Sequence, residues 1–114
     1  RLNYTINVDK SCQEYAIPPL ILQTLVENSV KHGISPKPEG GEIIIEISEK
    51  HEDIEIRIED DGVGMKDEVT AGFGLDAVKN ILALQYKKHS FNLVNDNGVK
   101  IQITIPRMGI NDEL

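Results

Sequence analysis

The sequence predicts an α+β fold, a two-layer sandwich in which helices cover one face of a β-sheet. Two observations predict this class. Several segments alternate apolar and polar residues with the period of a half-buried strand, and two longer segments repeat apolar residues with the period of a helix. The chain has 114 residues, of which 39% are hydrophobic and 27% are charged. This length and composition suit a single domain with one core of modest size.

Alternating apolar residues predict five strands. Apolar residues occupy every second position from Leu2 to Val8, and isoleucines do the same in the second and third strands. The last two strands should form a hairpin, because Asn97-Gly98 between them is a strong signal for a tight turn. The predicted ranges are 2–8, 42–48, 53–59, 91–94 and 99–105.

Two amphipathic segments predict helices. The first covers about residues 18–32, with two prolines in its first turn and Gly33 placed as a left-handed cap at its end. The second covers about residues 75–86. It is followed by a cationic stretch, residues 87–89, which suits a helix C-terminus.

The first helix carries a polar face as well as an apolar one. Glu27, Asn28 and Lys31 recur at helical spacing and share one side of it. In an isolated helix such a face is commonly only solvated, with an ion pair between Glu27 and Lys31. Motifs further along the chain favour a functional role instead.

Charge and cysteine content exclude several classes of protein. The net charge of -7 argues against a nucleic-acid surface, which normally shows as a basic patch. The single cysteine, Cys12, cannot form an internal disulfide and is interpreted as a structural or incidental thiol in a reducing compartment. No apolar run approaches the roughly 20 residues that span a bilayer, so we expect a soluble domain. The chain has no initiator methionine, so we expect a piece of a longer protein, with a domain at 1–106 and a tail at 107–114.

Two glycine motifs follow the strands. The third predicted strand continues in phase to Asp60, so this carboxylate should face the packed side of the sheet. Gly62 and Gly64 come directly after it, and Gly72 and Gly74 precede the second helix, where backbone N–H groups suit a phosphate. Each motif alone is weak, because Asp-Gly is commonly a simple turn and glycine loops often precede helices.

Taken in order, these motifs resemble the ATP-binding fold shared by sensor histidine kinases, gyrase, mismatch-repair and chaperone ATPases. Residues 17–33 resemble the N box of the LytS/YesM type of sensor histidine kinase, and the resemblance extends over residues 2–106. It implies a Bergerat-type sandwich whose mixed, mostly antiparallel sheet is covered on one face by helices.

The resemblance also implies roles for individual residues. Glu27 would be the general base, and Asn28 would be the ligand of a Mg²⁺ ion that accompanies ATP. Asp60 would accept a hydrogen bond from the adenine amino group. Core packing explains Met65 and Leu75 as well as a pocket wall does. The residues implied to contact the nucleotide are Asn28, Lys31, His32, Asp60, Gly62, Gly64, Met65, Gly72, Phe73, Gly74 and Leu75.

Some positions depart from the pattern of the family. Asp61 stands where an asparagine is usual, which adds negative charge near the nucleotide. Thr70 replaces a glycine, and Asp76 and Ala77 replace an arginine and an asparagine. These departures predict fewer phosphate contacts at the second glycine motif.

The function implied is transfer of the γ-phosphoryl group of Mg-ATP to a histidine on a separate upstream dimerisation domain, with a response regulator as the later partner. The domain would lie in the cytoplasm, within a parent protein in the bacterial membrane. Alone it would be a monomer, whereas the full-length protein would be a homodimer. Two alternatives stay open, an anti-sigma-factor serine kinase and a nucleotide-binding or interaction module without catalytic activity.

Overall fold

The computed structural model describes residues 2–12, 17–34, 40–62, 75–95 and 97–107. Its described elements, in chain order, are β1 (Leu2–Val8), a 3₁₀ turn (Lys10–Cys12), α1 (Pro19–Asn28), a π-helical turn (Ser29–Ile34), β2 (Gly41–Lys50), β3 (Asp53–Asp60), α2 (Leu75–Gln85), β4 (Ser90–Asn95) and β5 (Val99–Pro106). The predicted strands and helices are confirmed within one or two residues at most ends.

The five strands form one mixed sheet in the order β1-β2-β3-β5-β4. β1 runs parallel to β2, and every other neighbouring pair is antiparallel. The α+β class and the mostly antiparallel sheet are therefore confirmed. β1 and β4 are the two edge strands, and β3 lies in the middle of the sheet.

The core lies between one face of the sheet and the two helices. Every second residue of β2, β3 and β5 is buried, which follows from the two-residue period of a strand. The helices contribute the residues on their inner faces. The fully buried side chains are Ile21, Leu25, Ile43, Ile54, Ile56, Leu75, Val78, Leu82, Tyr86, Ile101, Ile103 and Ile105.

The end of the first helix differs from the prediction. The α-helix stops at Asn28, and a π-helical turn continues to Ile34. Gly33 lies inside this turn, so the prediction that it caps the helix is wrong. A π-helical turn is wider than an α-helical one, and such turns are often found at functional sites. Here the turn itself packs against β3.

The far end of the sheet is closed by Arg107. Its backbone N–H donates to the Glu52 carbonyl oxygen at 2.9 Å, and its guanidinium forms an ion pair with Glu49. The first residue of the predicted tail is thus held against the β2–β3 turn. Among the described helices, none is both long and apolar enough to cross a membrane.

Candidate functional site

The site is organised around Asp60, the last residue of β3. Burial alternates along this strand, and the Asp60 side chain falls on the same face as the core isoleucines. The residue is only 9% exposed. The prediction that this carboxylate faces the packed side is therefore confirmed, and a charged group in such a place needs hydrogen-bond donors.

Among the residues that the structure describes, Asp60 has three donors, which come from three separate segments. The backbone N–H groups of Gly62 and Val99 both donate to Oδ1, at 2.9 and 3.4 Å. The Ser29 hydroxyl donates to the same carboxylate. A carboxylate has roughly four acceptor sites, so about one is left for a donor from a ligand.

Burial dominates the electrostatics of this group. It raises the pKa of Asp60 above its ordinary value, while the donors from Gly62, Ser29 and Val99 act in the opposite direction and the charge of Asp61 adds to the increase. Water stabilises an ionised carboxylate better than three hydrogen bonds in a partly dry site do. Asp60 is thus poised to gain from one further donor.

Ser29 joins the helix to the strand. It is 6% exposed and is the first residue of the π-helical turn, directly after Asn28. Its hydrogen bond to Asp60 brings the polar face of α1 to the end of β3. Sequence reasoning passed over Ser29, although a small hydroxyl residue between Asn28 and Val30 on a packed helix needs a polar partner.

Asn28 lies half-buried at the end of α1. Its Nδ2 atom is buried and has no hydrogen-bond partner among the described residues. A buried amide without a partner is a polar group that a ligand can satisfy. An oxygen donor is what Mg²⁺ requires, so this residue fits the predicted ligand position.

Glu27 and Lys31 are both exposed, and they do not form the ion pair of a simple solvated helix. Glu27 instead accepts a hydrogen bond from Gln23 at 3.4 Å, one turn earlier on α1. No ion pair joins Glu27 to Lys31 in the described ranges. The widened turn after Asn28 breaks the regular spacing that would align them. Both charges are thus available to a ligand or partner.

Gly98 is a site residue that sequence reasoning took for a turn residue alone. Its φ is +122°, and a Cβ at this position would meet the Asp60 carbonyl oxygen at 2.1 Å. That distance is far inside van der Waals contact, so only glycine allows the β4–β5 turn to lie against the end of β3. The close approach also brings the Val99 N–H to Asp60.

Asp61 faces away from Asp60 and forms hydrogen bonds with the backbone of β2. Its Oδ1 accepts the Glu42 backbone N–H at 2.8 Å, and its own N–H donates to the Glu42 carbonyl oxygen at 3.3 Å. These bonds extend the β2–β3 ladder by one residue. The carboxylate that replaces the usual asparagine is therefore engaged with the backbone of β2.

An open cavity of about 360 Å³ lies at this end of the sheet. Ile44, Glu59 and Lys100 contribute to its lining, and their side chains project from the face opposite the helices. Asp60, Gly98 and Val99 line the cavity as well, so it reaches the last residue of β3.

The remaining predicted residues divide into two groups. Leu75 is fully buried in the core at the start of α2, which agrees with the packing explanation. Gly64, Met65, Gly72, Phe73 and Gly74 lie outside the described residues, as does the side chain of His32. In the described parts of the chain, no group of three or more His, Cys, Asp or Glu residues could hold a metal ion. A Mg²⁺ ion would need ligands from outside this set, such as the Asn28 amide and the ATP phosphates.

The burial of Asp60 predicts a specific pH dependence. A carboxyl whose pKa is higher in the folded than in the unfolded protein favours folding when it is protonated. Its contribution should be fully present below the ordinary pKa of about 3.9 and should disappear as pH rises through the higher folded-state value. Carbon NMR of the carboxyl should give a pKa above the ordinary value, and Ser29→Ala should raise it further. A pKa at or below the ordinary value would contradict the dominance of burial.

Comparison with known proteins identifies the family. The family described as histidine kinase-, DNA gyrase B- and HSP90-like ATPase matches residues 18–109. The sensor protein LytS of Staphylococcus epidermidis is 37% identical over 65 residues, and the sensor histidine kinase/phosphatase LytS of Staphylococcus aureus is 33% identical over 66 residues. Each alignment covers 57% of this chain, and the chain spans 11% of the length of these relatives.

The fold is shared with a solved histidine kinase. The blue-light activated histidine kinase of Erythrobacter litoralis superposes with a TM-score of 0.79 at 16% identity, over 92% of this chain and 35% of that chain. At this identity the likeness establishes the architecture alone. The family match covers most of the chain, including α1, β3 and the glycine motifs, and it implies use of a nucleotide. The chain therefore belongs to the histidine kinase-, DNA gyrase B- and HSP90-like ATPase family.

Proposed function

We propose that this domain is the catalytic domain of a two-component sensor histidine kinase, which transfers the γ-phosphoryl group of Mg-ATP to a histidine on another domain of its parent protein. The single observation that carries the proposal is the hydrogen bond from Ser29 to Asp60. This bond joins the helix bearing Glu27 and Asn28 to the carboxylate that would bind the adenine base. One site could therefore contact both the base and the phosphates of a nucleotide.

Asp60 is the residue that would select adenine. Its free acceptor site is fixed in direction, because the backbone of Gly62 and of Val99 holds Oδ1. An amino group such as that of adenine donates to such an acceptor, whereas the carbonyl oxygen at the same position of guanine does not. The proposed base specificity therefore rests on a carboxylate that the fold itself orients.

Asn28 and Lys31 would bind the Mg²⁺ ion and the phosphates of ATP. The amide oxygen of Asn28 would bind a hard cation, and the exposed Lys31 adds a positive charge in a chain whose net charge is -7. Mg²⁺ bound here would neutralise the phosphate charge that develops during transfer. His32 and the second glycine motif, at Gly72 and Gly74, are proposed as further phosphate contacts.

Glu27 would orient or deprotonate the attacking histidine. It is exposed at the end of α1, and among the described residues its side chain holds one hydrogen bond, from Gln23 at 3.4 Å. An incoming side chain can therefore reach it without breaking a strong contact. The acceptor histidine, the response regulator and a membrane location of the parent protein are all proposed on the likeness to LytS sensor proteins.

The test is phosphorylation of the parent protein with radiolabelled Mg-ATP. We expect label on the parent that is lost in acid and kept in base, because phosphohistidine is acid-labile and phosphoserine is not. Asn28→Ala should reduce labelling on the order of 100-fold or more by removing the proposed metal ligand, whereas Gln23→Ala on the same helix should leave most of it. Acid-stable label on a second protein would favour the serine kinase alternative. Nucleotide binding without any label would favour the inactive module.

A further inference from the structure

The edge strand β1 exposes an apolar face. Tyr4, Ile6 and Val8 are 50%, 61% and 37% exposed. Their parallel partners in β2 are Ile43, Ile45 and Ile47, which belong to the core. Because directly paired residues share a face of the sheet, the apolar core surface continues one strand beyond the helices that cover it.

The opposite edge is built differently. Phe91 and Leu93 of β4 pack against the core, and the ammonium of Lys79 lies 5.1 Å from the centre of the Phe91 ring. The apolar side chains on the helix-facing side of that edge are therefore covered, whereas Val94, which is 54% exposed, lies on the other side. β1 has no such cover among the described residues.

β1 also lacks the features that normally keep a sheet edge from pairing. It contains no charged residue and no proline, and its register with β2 is unbroken over all seven residues. Edge strands of soluble proteins usually carry a lysine, a proline or a bulge for protection. In a chain with a net charge of -7, an uncharged edge is also where a second copy meets the least repulsion.

We propose that β1 pairs antiparallel with β1 of a second copy of this chain, so that two five-stranded sheets become one continuous sheet. The strand is self-complementary about Thr5. With the two-fold axis at Thr5, Tyr4 lies opposite Ile6 of the second copy, and Asn3 lies opposite Asn7. Apolar side chains then meet on one face, and threonine and asparagine pairs meet on the other.

An interface made of one strand pair is small. It falls below the roughly 1,200 Å² that typical stable complexes bury, so a weak dimer is expected from the chain alone. Two copies held together elsewhere in a longer protein would pair more readily, because linkage raises their effective concentration. This inference reverses the expectation from the sequence that the isolated domain is a monomer.

Sedimentation equilibrium measures the oligomeric state and tests the proposal. Concentrations up to about 1 mM are needed because an interface of this small size forms a weak complex. We expect a reversible dimer, weakened 10-fold or more by Ile6→Lys, which places a charge in each copy near the symmetric contact. Leu84→Lys is the matched control, because Leu84 is 85% exposed on α2, away from the sheet edge, and should leave dimerisation unchanged. A chain that stays monomeric throughout overturns the proposal and leaves the β1 face to another segment of the parent protein.

Crosslinking tests the register independently. In a Cys12→Ala background, Thr5→Cys should form a disulfide-linked dimer under mild oxidation, because the two copies of residue 5 would face each other across the axis. Asn7→Cys should not, since its two copies would stand about 13 Å apart along the strands. Equal crosslinking of both variants would mean association without this pairing and would overturn the proposal.

Discussion

Replacing Asp60 with asparagine should abolish most adenine-nucleotide binding while leaving the fold intact. Asparagine keeps an Oδ1 atom for the N–H groups of Gly62 and Val99, which donate to this oxygen in the structure. It replaces the other carboxylate oxygen with an NH₂ group, which would face the adenine amino group as donor against donor. Loss of such a charge-assisted bond costs about 2–4 kcal/mol, so affinity should fall roughly 30- to 700-fold.

Calorimetric titration with ADP measures this effect directly, and Asp61→Asn is its matched control. Asp61 is the adjacent carboxylate, but it accepts the Glu42 N–H at 2.8 Å and faces the other side of the sheet. Its amide analogue keeps an acceptor oxygen for that bond. We expect Asp61→Asn to bind ADP within a few-fold of the unmodified chain. Similar losses in both variants would mean that general negative charge, and not a directed acceptor, governs binding.

Thermal stability should also distinguish Asp60→Asn from Asp61→Asn. Burial raises the pKa of Asp60, so ionised Asp60 has a cost in the folded protein that a neutral amide avoids. The Asp60→Asn variant should therefore unfold at the same temperature as the unmodified chain or higher at neutral pH. If Asp60→Asn loses nucleotide binding but keeps its stability, the defect lies in the binding site and not in the fold. A variant that melts much lower would instead assign Asp60 a structural role.

Gly98→Ala should destabilise the protein strongly and weaken nucleotide binding with it. The added methyl group would lie 2.1 Å from the Asp60 carbonyl oxygen, and the residue would have to keep a φ of +122°. Either the β4–β5 turn or the end of β3 must move, and both are parts of the sheet. Overpacking and an unfavourable backbone conformation together cost about 2–5 kcal/mol.

Chemical denaturation measures this loss of stability, and Asn97→Gly is the control. Asn97 also has a positive φ, of 54°, so glycine is tolerated there without strain and adds no atom against Asp60. We expect its unfolding free energy to change by less than about 1 kcal/mol. Equal stability of Gly98→Ala and the unmodified chain would mean that the turn can shift without cost, and Gly98 would then have no role in positioning Asp60.

The sequence by itself determined the architecture and the main acid of the site. Isoleucines at every second position of β2 and β3 allow only one side of these strands to be buried, so the same alternation places Asp60 on the packed face. The apolar repeat of α1 similarly separates its packed side from Glu27, Asn28 and Lys31. These results follow from local periodicity, which a single sequence contains in full.

Only the tertiary structure decided how the segments meet. The hydrogen bond from Ser29 to Asp60, the contact of Gly98 with the Asp60 backbone and the uncovered face of β1 all join residues distant in the chain. The π-helical turn after Asn28 replaced a predicted glycine cap for the same reason. Packing of the π-helical turn itself against β3 sets the course of the backbone there, and packing outweighs the small preference of one residue for a cap. Local patterns specify which face a side chain takes, and the neighbours it finds there depend on long-range contacts.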